Sequence, residues 1–231
     1  MREVVADVYL VEGLRAANVY LLASGEGLTL VDAGTPGEFA QIARQMQERG
    51  YALGDVKAIV LTHCHSDHAG SAARLAQQSG AQVLAHVDEA PYLEKTASLP
   101  AGSCLRRVLV WLMARVYTAP PCAVDRALQD EETIEALGGL QVIHVPGHTP
   151  GNIALYQPER QILFCGDTIY NGAPFPFVKG IQAPPRLFSV DPDQALRSAR
   201  ALVERPIRVV CFGHGEPILE GAQERLREAL D

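Results

Sequence analysis

The sequence predicts an α/β (α+β) fold: a four-layer αβ/βα sandwich with a helical insertion. Three observations predict it. Strand-like runs gather in two β-rich halves, segments with helical spacing accompany each half, and one stretch between the halves breaks the rhythm. Two such halves can bury one face of each sheet against the other and cover the outer faces with helices. The expected unit is a single domain over residues 1–231, with the insertion at about 88–120.

The elements follow in order. "DVYLVEG", "NVYLLAS" and "LTLVDAG" alternate in a strand-like way, and Gly25 and Gly27 mark a hairpin turn between the last two. "GEFAQIARQMQERG" places Phe39, Ile42, Ala43 and Met46 at helical spacing and stops at Gly50. "VKAIVLT" reads as a strand buried on both faces, "SAARLAQQSG" as a helix with a glycine stop, and "AQVLAHV" as a returning strand. The second half predicts strands at "LQVIHVPG", "NIALYQ", "QILFCGD" and "IRVVCFG", with helices at "DPDQALRSARALVER" and "GAQERLREALD". Between the halves, Leu105, Val108, Leu109, Leu112, Met113 and Val116 fall on one helical face. That stripe is core packing, a dimer contact or a lid over a substrate pocket.

At 231 residues and 48% hydrophobic, the chain is long enough to bury a sizeable core. A net charge of -7, without a dense Lys/Arg block, gives no footprint for gripping nucleic acid. Arg2, Glu3 and Asp7 interrupt the start where a signal peptide needs an apolar run, and no stretch approaches the ~20 residues of a membrane span. A cytoplasmic protein with no membrane partner is expected. Five cysteines with no C-x-x-C pair suggest reduced thiols rather than a disulfide framework.

The chemistry is concentrated in "LTHCHSDHAG", which follows the buried strand "VKAIVLT" and carries His63, His65, Asp67 and His68. Imidazole nitrogen and carboxylate oxygen both bind a borderline metal such as zinc at about 2.0–2.2 Å. Crowding them on one loop lowers the entropy lost when a cation gathers its ligands. Isolated residues of the same type reappear where other strands end: His148 in "HVPGHTPGN", Asp167 in "FCGDTIY" and His214 in "VVCFGHGEP". Flanking glycines allow close backbone approach there. His86 and His144 read as packing or supporting residues rather than ligands.

Together these motifs, from "NVYLLASGEGLTLVDAG" to "FGHGEP", resemble the metallo-β-lactamase-fold superfamily of metallohydrolases. The resemblance implies two divalent metal ions, with zinc first and iron, manganese or cobalt as alternatives. His63, His65 and His148 would hold one, Asp67, His68 and His214 the other, and Asp167 would bridge them. Asp32 in "LVDAG" matches a supporting acidic position; it either orients a ligand or caps the next turn. A hydroxide shared by the cations is the expected nucleophile on a carbonyl. Cys64 and Cys165 are not expected to act, since no cationic partner lowers their pKa.

Departures within the superfamily narrow the reading. Secreted lactam-hydrolysing members lack a bridging aspartate, which this chain has in Asp167, and diiron flavoprotein reductases place Glu where His65 stands. Glyoxalase II shares the ligand set but usually ends in a helical glutathione-gripping domain, whereas one short helix follows His214 here. Quorum-signal lactonases resemble the chain in a tyrosine three residues past the bridging aspartate, here Tyr170. Its phenol either donates to the substrate or packs beside the site. Phe175 and Phe177 would line an apolar mouth. The expected activity is hydrolysis of an ester, lactone or thioester in a small-molecule acyl substrate, with Asp67, Asp167 and Tyr170 in catalytic roles and a homodimer allowed. The alternatives are a mononuclear iron oxygenase resembling the persulfide dioxygenases, using His63, His148 and Asp167, a binding module without catalysis, a β-lactamase and a phosphodiesterase.

Overall fold

The computed structural model describes residues 1–25, 27–100, 118–172 and 178–231. The first half forms a sheet in the order β1 (Arg2–Val5), β2 (Val8–Leu10), β3 (Tyr20–Ser24), β4 (Gly27–Val31), β5 (Val56–Val60), β6 (Gln82–His86) and β7 (Arg126–Leu128). The first four strands are antiparallel neighbours, with the predicted hairpin joining β3 to β4, and β4 to β7 run parallel. Parallel neighbours need crossovers. Helix α1 (Phe39–Glu48) supplies the first, α2 (Ser66–Ala69) and α3 (Ala72–Ser79) the second. A short helix α4 (Ala90–Leu93) follows β6.

The second sheet has the order β14 (Val209–Phe212), β11 (Ile162–Gly166), β10 (Ile153–Gln157), β9 (Leu140–His144) and β8 (Thr133–Ile134). A separate pair joins β12 (Tyr170–Asn171) to β13 (Ile181–Gln182). Helices α5 (Pro192–Leu202) and α6 (Ala222–Leu230) complete this half. Helix α5 starts where the sequence signals it: Pro192 occupies the first turn, and the Gln194 amide donates to Asp191 Oδ1 at 2.9 Å.

Strand alternation sorts the apolar side chains into three cores, which makes the four layers. Tyr20, Leu22, Val31 and Val60 of the first sheet meet Val142, Leu155, Phe164 and Cys211 of the second. Leu21, Leu30 and Ile59 face the opposite way, onto Ile42 and Met46 of α1 and Leu75 of α3. On the far side, Ala154, Leu163, Val210 and Phe212 pack on Ala199 and Leu202 of α5 and Leu226 of α6.

Strand direction then decides where the chemistry goes. Strands β4 and β5 are parallel, so Asp32 and His63 leave the first sheet at one rim. Strand β10 is antiparallel to both β9 and β11, and β14 is parallel to β11. The ends of β9, β11 and β14 therefore share a rim, and His148, Asp167 and His214 lie just beyond it.

One expectation needs amendment. Strand β5 is not buried on both faces throughout: Ile59 and Val60 are buried, while Lys57 near its start is exposed. Strands β1, β7 and β8 carried no sequence signal strong enough to predict them. Of the insertion expected at about 88–120, the helical stripe from Leu105 to Val116 lies outside the described residues, as do Phe175 and Phe177.

Candidate metal centre

The loop after β5 is held from below before any metal is considered. Asp32, at the end of β4, adopts a left-handed backbone (φ 62°) that a non-glycine residue seldom takes, and its carboxylate turns toward the next strand. It accepts the Thr62 amide at 2.8 Å and the Thr62 hydroxyl at 2.9 Å, and contacts His68 Nδ1 at 2.7 Å. The Thr62 hydroxyl in turn lies 3.1 Å from His63 Nδ1. Asp32 thus orients the His68 ring directly and the His63 ring through Thr62, rather than only capping the turn after it.

The seven predicted side chains converge in two sets that share Asp167. In the first, His65 Nδ1 lies 3.0 Å from His63 Nε2 and 2.9 Å from His148 Nε2. Asp167 Oδ2 stands 3.8 Å from His63 Nε2 and 3.4 Å from His148 Nε2. In the second, His214 Nε2 lies 3.4 Å from His68 Nε2 and 3.5 Å from Asp67 Oδ2. The same Asp167 Oδ2 is 3.3 Å from His214 Nε2, and Asp167 Oδ1 is 3.1 Å from His68 Nε2.

These spacings fit divalent cations. Ligands about 2.0–2.1 Å from a tetrahedral zinc stand about 3.3 Å apart along each edge. The donor atoms of His63, His65, His148 and Asp167 all lie within 4.8 Å of one another, as do those of Asp67, His68 and His214. Three imidazole nitrogens aimed at one point cannot satisfy one another by hydrogen bonding, because each donor needs an acceptor. Asp167 Oδ1 makes no hydrogen bond in spite of its close approach to His68, so that contact lacks bonding geometry. A buried carboxylate oxygen left so is costly without a cation.

The electrostatics follow from burial and crowding. Burial, then the neighbouring His68, hold His63 well below the usual histidine range. Burial also acts against a charged His68, but Asp167 and Asp32 outweigh it and raise His68 well above that range. Burial opposes ionisation of Asp167, yet His214 and His68 hold its carboxyl well below the carboxylate range. Remote backbone completes the shell: His214 Nδ1 lies 3.2 Å from the Ala16 carbonyl, and the Asn18 side chain donates to the carbonyls of Phe212 and Gly215. Gly213 admits no side chain, since a Cβ there would lie 2.5 Å from Asp167 Oδ1 and 2.8 Å from His68 Cε1.

Tyr170 is buried, stacks on the His214 ring (4.9 Å, 13°) and donates its phenol hydrogen to Asp167 Oδ2. Tyr170 thus packs beside the site, as one of the two sequence readings expected, and its hydrogen-bond partner is Asp167. Cys64 lies in the outer core beside Glu89, and Cys165 in the core under α5; burial raises both thiols well above their ordinary value. His86 and His144 pack ring on ring at 4.0 Å and 14°, near Asp88. The lone pairs of stacked rings lie in two nearly parallel planes and do not meet at one point, and His144 Nε2 is engaged with the Pro150 carbonyl at 2.9 Å. Both residues keep the packing role expected of them.

Sequence reasoning missed Asn18, Thr62 and Glu89. Thr62 lies inside "LTHCHSDHAG" but is not of a metal-binding type, and Asn18 and Glu89 belong to no spaced motif.

The chain matches the metallo-beta-lactamase superfamily profile over residues 13–214, a span that contains all seven convergent side chains. The chain belongs to the metallo-beta-lactamase superfamily. Similar members include the protein of Bacillus subtilis (strain 168) named "Probable metallo-hydrolase YflN", 28% identical over 89% of this chain and 83% of its own. The hydroxyacylglutathione hydrolase of Pseudomonas aeruginosa (strain LESB58) is 35% identical over 66% of this chain, but only 45% of the enzyme's length is spanned. Among solved structures, a metallo-beta-lactamase family protein from Thermus thermophilus superposes with a TM-score of 0.75 at 27% identity, covering 98% of this chain and 79% of that one. A subclass B3 metallo-beta-lactamase of Bradyrhizobium japonicum shares the fold at 24% identity, with a TM-score of 0.69 over 92% of this chain and 76% of its own. This superfamily member is a metal-dependent hydrolase, and its His/Asp cluster is able to hold metal. Among the described residues, no helix is long and apolar enough to cross a membrane.

Proposed function

We propose that this protein is a cytoplasmic dinuclear hydrolase that cleaves an ester, lactone or thioester carbonyl in a small acyl substrate, with zinc the first choice of metal. The observation that carries the reading is the position of Asp167, whose two oxygens face both ligand sets at 3.1–3.8 Å. His63, His65 and His148 would hold one cation, Asp67, His68 and His214 the second, and Asp167 both. When bound, such a pair supplies a water-derived nucleophile near neutral pH and Lewis acidity toward a carbonyl oxygen.

The chain's own residues do the remaining work. Asp32 and Thr62 hold the rings of His68 and His63 in place. Burial, then Asp167, keep Tyr170 a phenol, so it holds a proton at Oη beside the site, and turning that proton from Asp167 to a leaving oxygen would make it a donor. His65 and Asp67 are the half-exposed members of the cluster, which makes their side the approach for substrate. Thiol nucleophiles are disfavoured by the raised pKa of Cys64 and Cys165. The convergence of Asp67, His68 and His214 favours a dinuclear hydrolase over a mononuclear iron oxygenase, which needs only three ligands. Relatives named for hydroxyacylglutathione, a thioester, support the acyl class.

The test is elemental analysis of protein purified without added metal, followed by turnover of lactones, thioesters, β-lactams and phosphodiesters on the same sample. About two metals per chain and ester-type turnover abolished by chelation are expected. A single iron with oxygen consumption, or turnover of phosphodiesters alone, would overturn the reading.

A further inference from the structure

Glu89 is a carboxylate with no solvent exposure, placed after β6 and just before α4, outside every sequence motif. Its Oε1 accepts the Cys64 amide at 2.7 Å, and its Oε2 accepts the Gly151 amide, also at 2.7 Å. Cys64 sits between His63 and His65, and Gly151 follows His148 by three residues. One side chain therefore spans the two loops that carry the three-histidine set.

The chemistry of the gap explains why a carboxylate is needed. Both loops present an N–H to the space between them, and two donors cannot bond to each other. Only a group with two acceptors satisfies both, and a charged acceptor strengthens each bond. Gln would supply one acceptor and one NH2, leaving a donor facing a donor; Ala would leave two buried amides unpaired. The backbone closes the same junction. A Cβ at Gly151 would lie 2.4 Å from the Glu89 nitrogen and 2.8 Å from the Asp88 carbonyl carbon, so the histidine loop rests directly on the turn into α4. The Glu89 amide in turn donates to the His86 carbonyl at 2.9 Å, which anchors that turn to the end of β6. Burial raises the Glu89 carboxyl above its ordinary value, and hydrogen bonds to it pull the other way.

We propose that Glu89 is a positioning residue for the metal centre: its carboxylate sets the separation of the His63/His65 loop from the His148 loop, and so the three-imidazole set itself. The inference rests on the metal-binding part of the proposed function and is independent of the substrate class. The test titrates zinc, against a chromophoric chelator, into metal-stripped wild type, Glu89→Gln and Glu89→Ala, with a thermal melt of each stripped protein.

Wild type is expected to take two equivalents. Glu89→Gln, nearly the same size, should remain folded yet lose at least about tenfold in affinity for one equivalent, as expected when a supporting hydrogen bond to a ligand shell is lost. Gln should fail to rescue relative to Ala, whereas a purely space-filling role would let Gln behave as wild type. Unchanged zinc affinity in a folded Glu89→Gln overturns the proposal. Wild type that binds no zinc overturns the metal reading beneath it, which separates the two failures. Amide exchange in metal-stripped wild type reads the same brace without a variant: Cys64 and Gly151 should exchange slowly, and exchange as fast as exposed loop amides overturns the proposal even if both variants fail to fold.

Discussion

Asp32 Oδ2 and His68 Nδ1 lie 2.7 Å apart although 36 residues separate them, and neither is exposed. That contact fixes which nitrogen of His68 remains for a cation. Asp32→Ala should lower affinity at the Asp67/His68/His214 set by about 10–100-fold. Zinc titration of the stripped variant checks it; two equivalents bound as in wild type would remove Asp32 from the ligand-orienting role.

Asp167 and Tyr170 separate by magnitude. Asp167→Ala removes the one carboxylate common to both sets, so kcat/KM should fall by at least about a hundredfold, or roughly 2.7 kcal/mol, together with metal content. Tyr170→Phe keeps the ring stacked on His214 and removes only the hydroxyl, so metal content should hold while kcat falls by about tenfold. Steady-state kinetics with metal analysis on each variant decides this, and metal loss in Tyr170→Phe would make the phenol a structural support only.

Gly213→Ala tests the packing limit of the centre. With a Cβ 2.5 Å from Asp167 Oδ1, either that carboxylate or the β14 exit must move. The expected outcome is a folded protein destabilised by about 1–3 kcal/mol with reduced metal content, read by thermal melts and elemental analysis.

The buried thiols give an independent check on the nucleophile. Burial raises Cys64, Cys165 and Cys211, so little thiolate is present at neutral pH. Iodoacetamide at pH 7 should leave all three unmodified in the native protein and modify them after unfolding. Peptide mapping by mass spectrometry reports this, and native-state alkylation of Cys64 with loss of turnover would reinstate a thiol mechanism.

The longer strands and helices, the two β-rich halves and all seven convergent His and Asp side chains were legible in the sequence by itself. Their signals are local: period-two and helical spacing mark the elements, and H-x-H-x-D-H crowds four metal-binding groups into six residues. Tertiary structure alone decided what depends on pairing between distant segments. The short strands β7 and β8 are defined only by their neighbours, since three or two residues carry no period to read. Asp32 could be assigned between cap and ligand support only once β4 lay parallel to β5. Glu89 was invisible for the same reason: its partners are 25 and 62 residues away, and a buried carboxylate is recognised by the two amides it meets, which no spacing along the chain encodes.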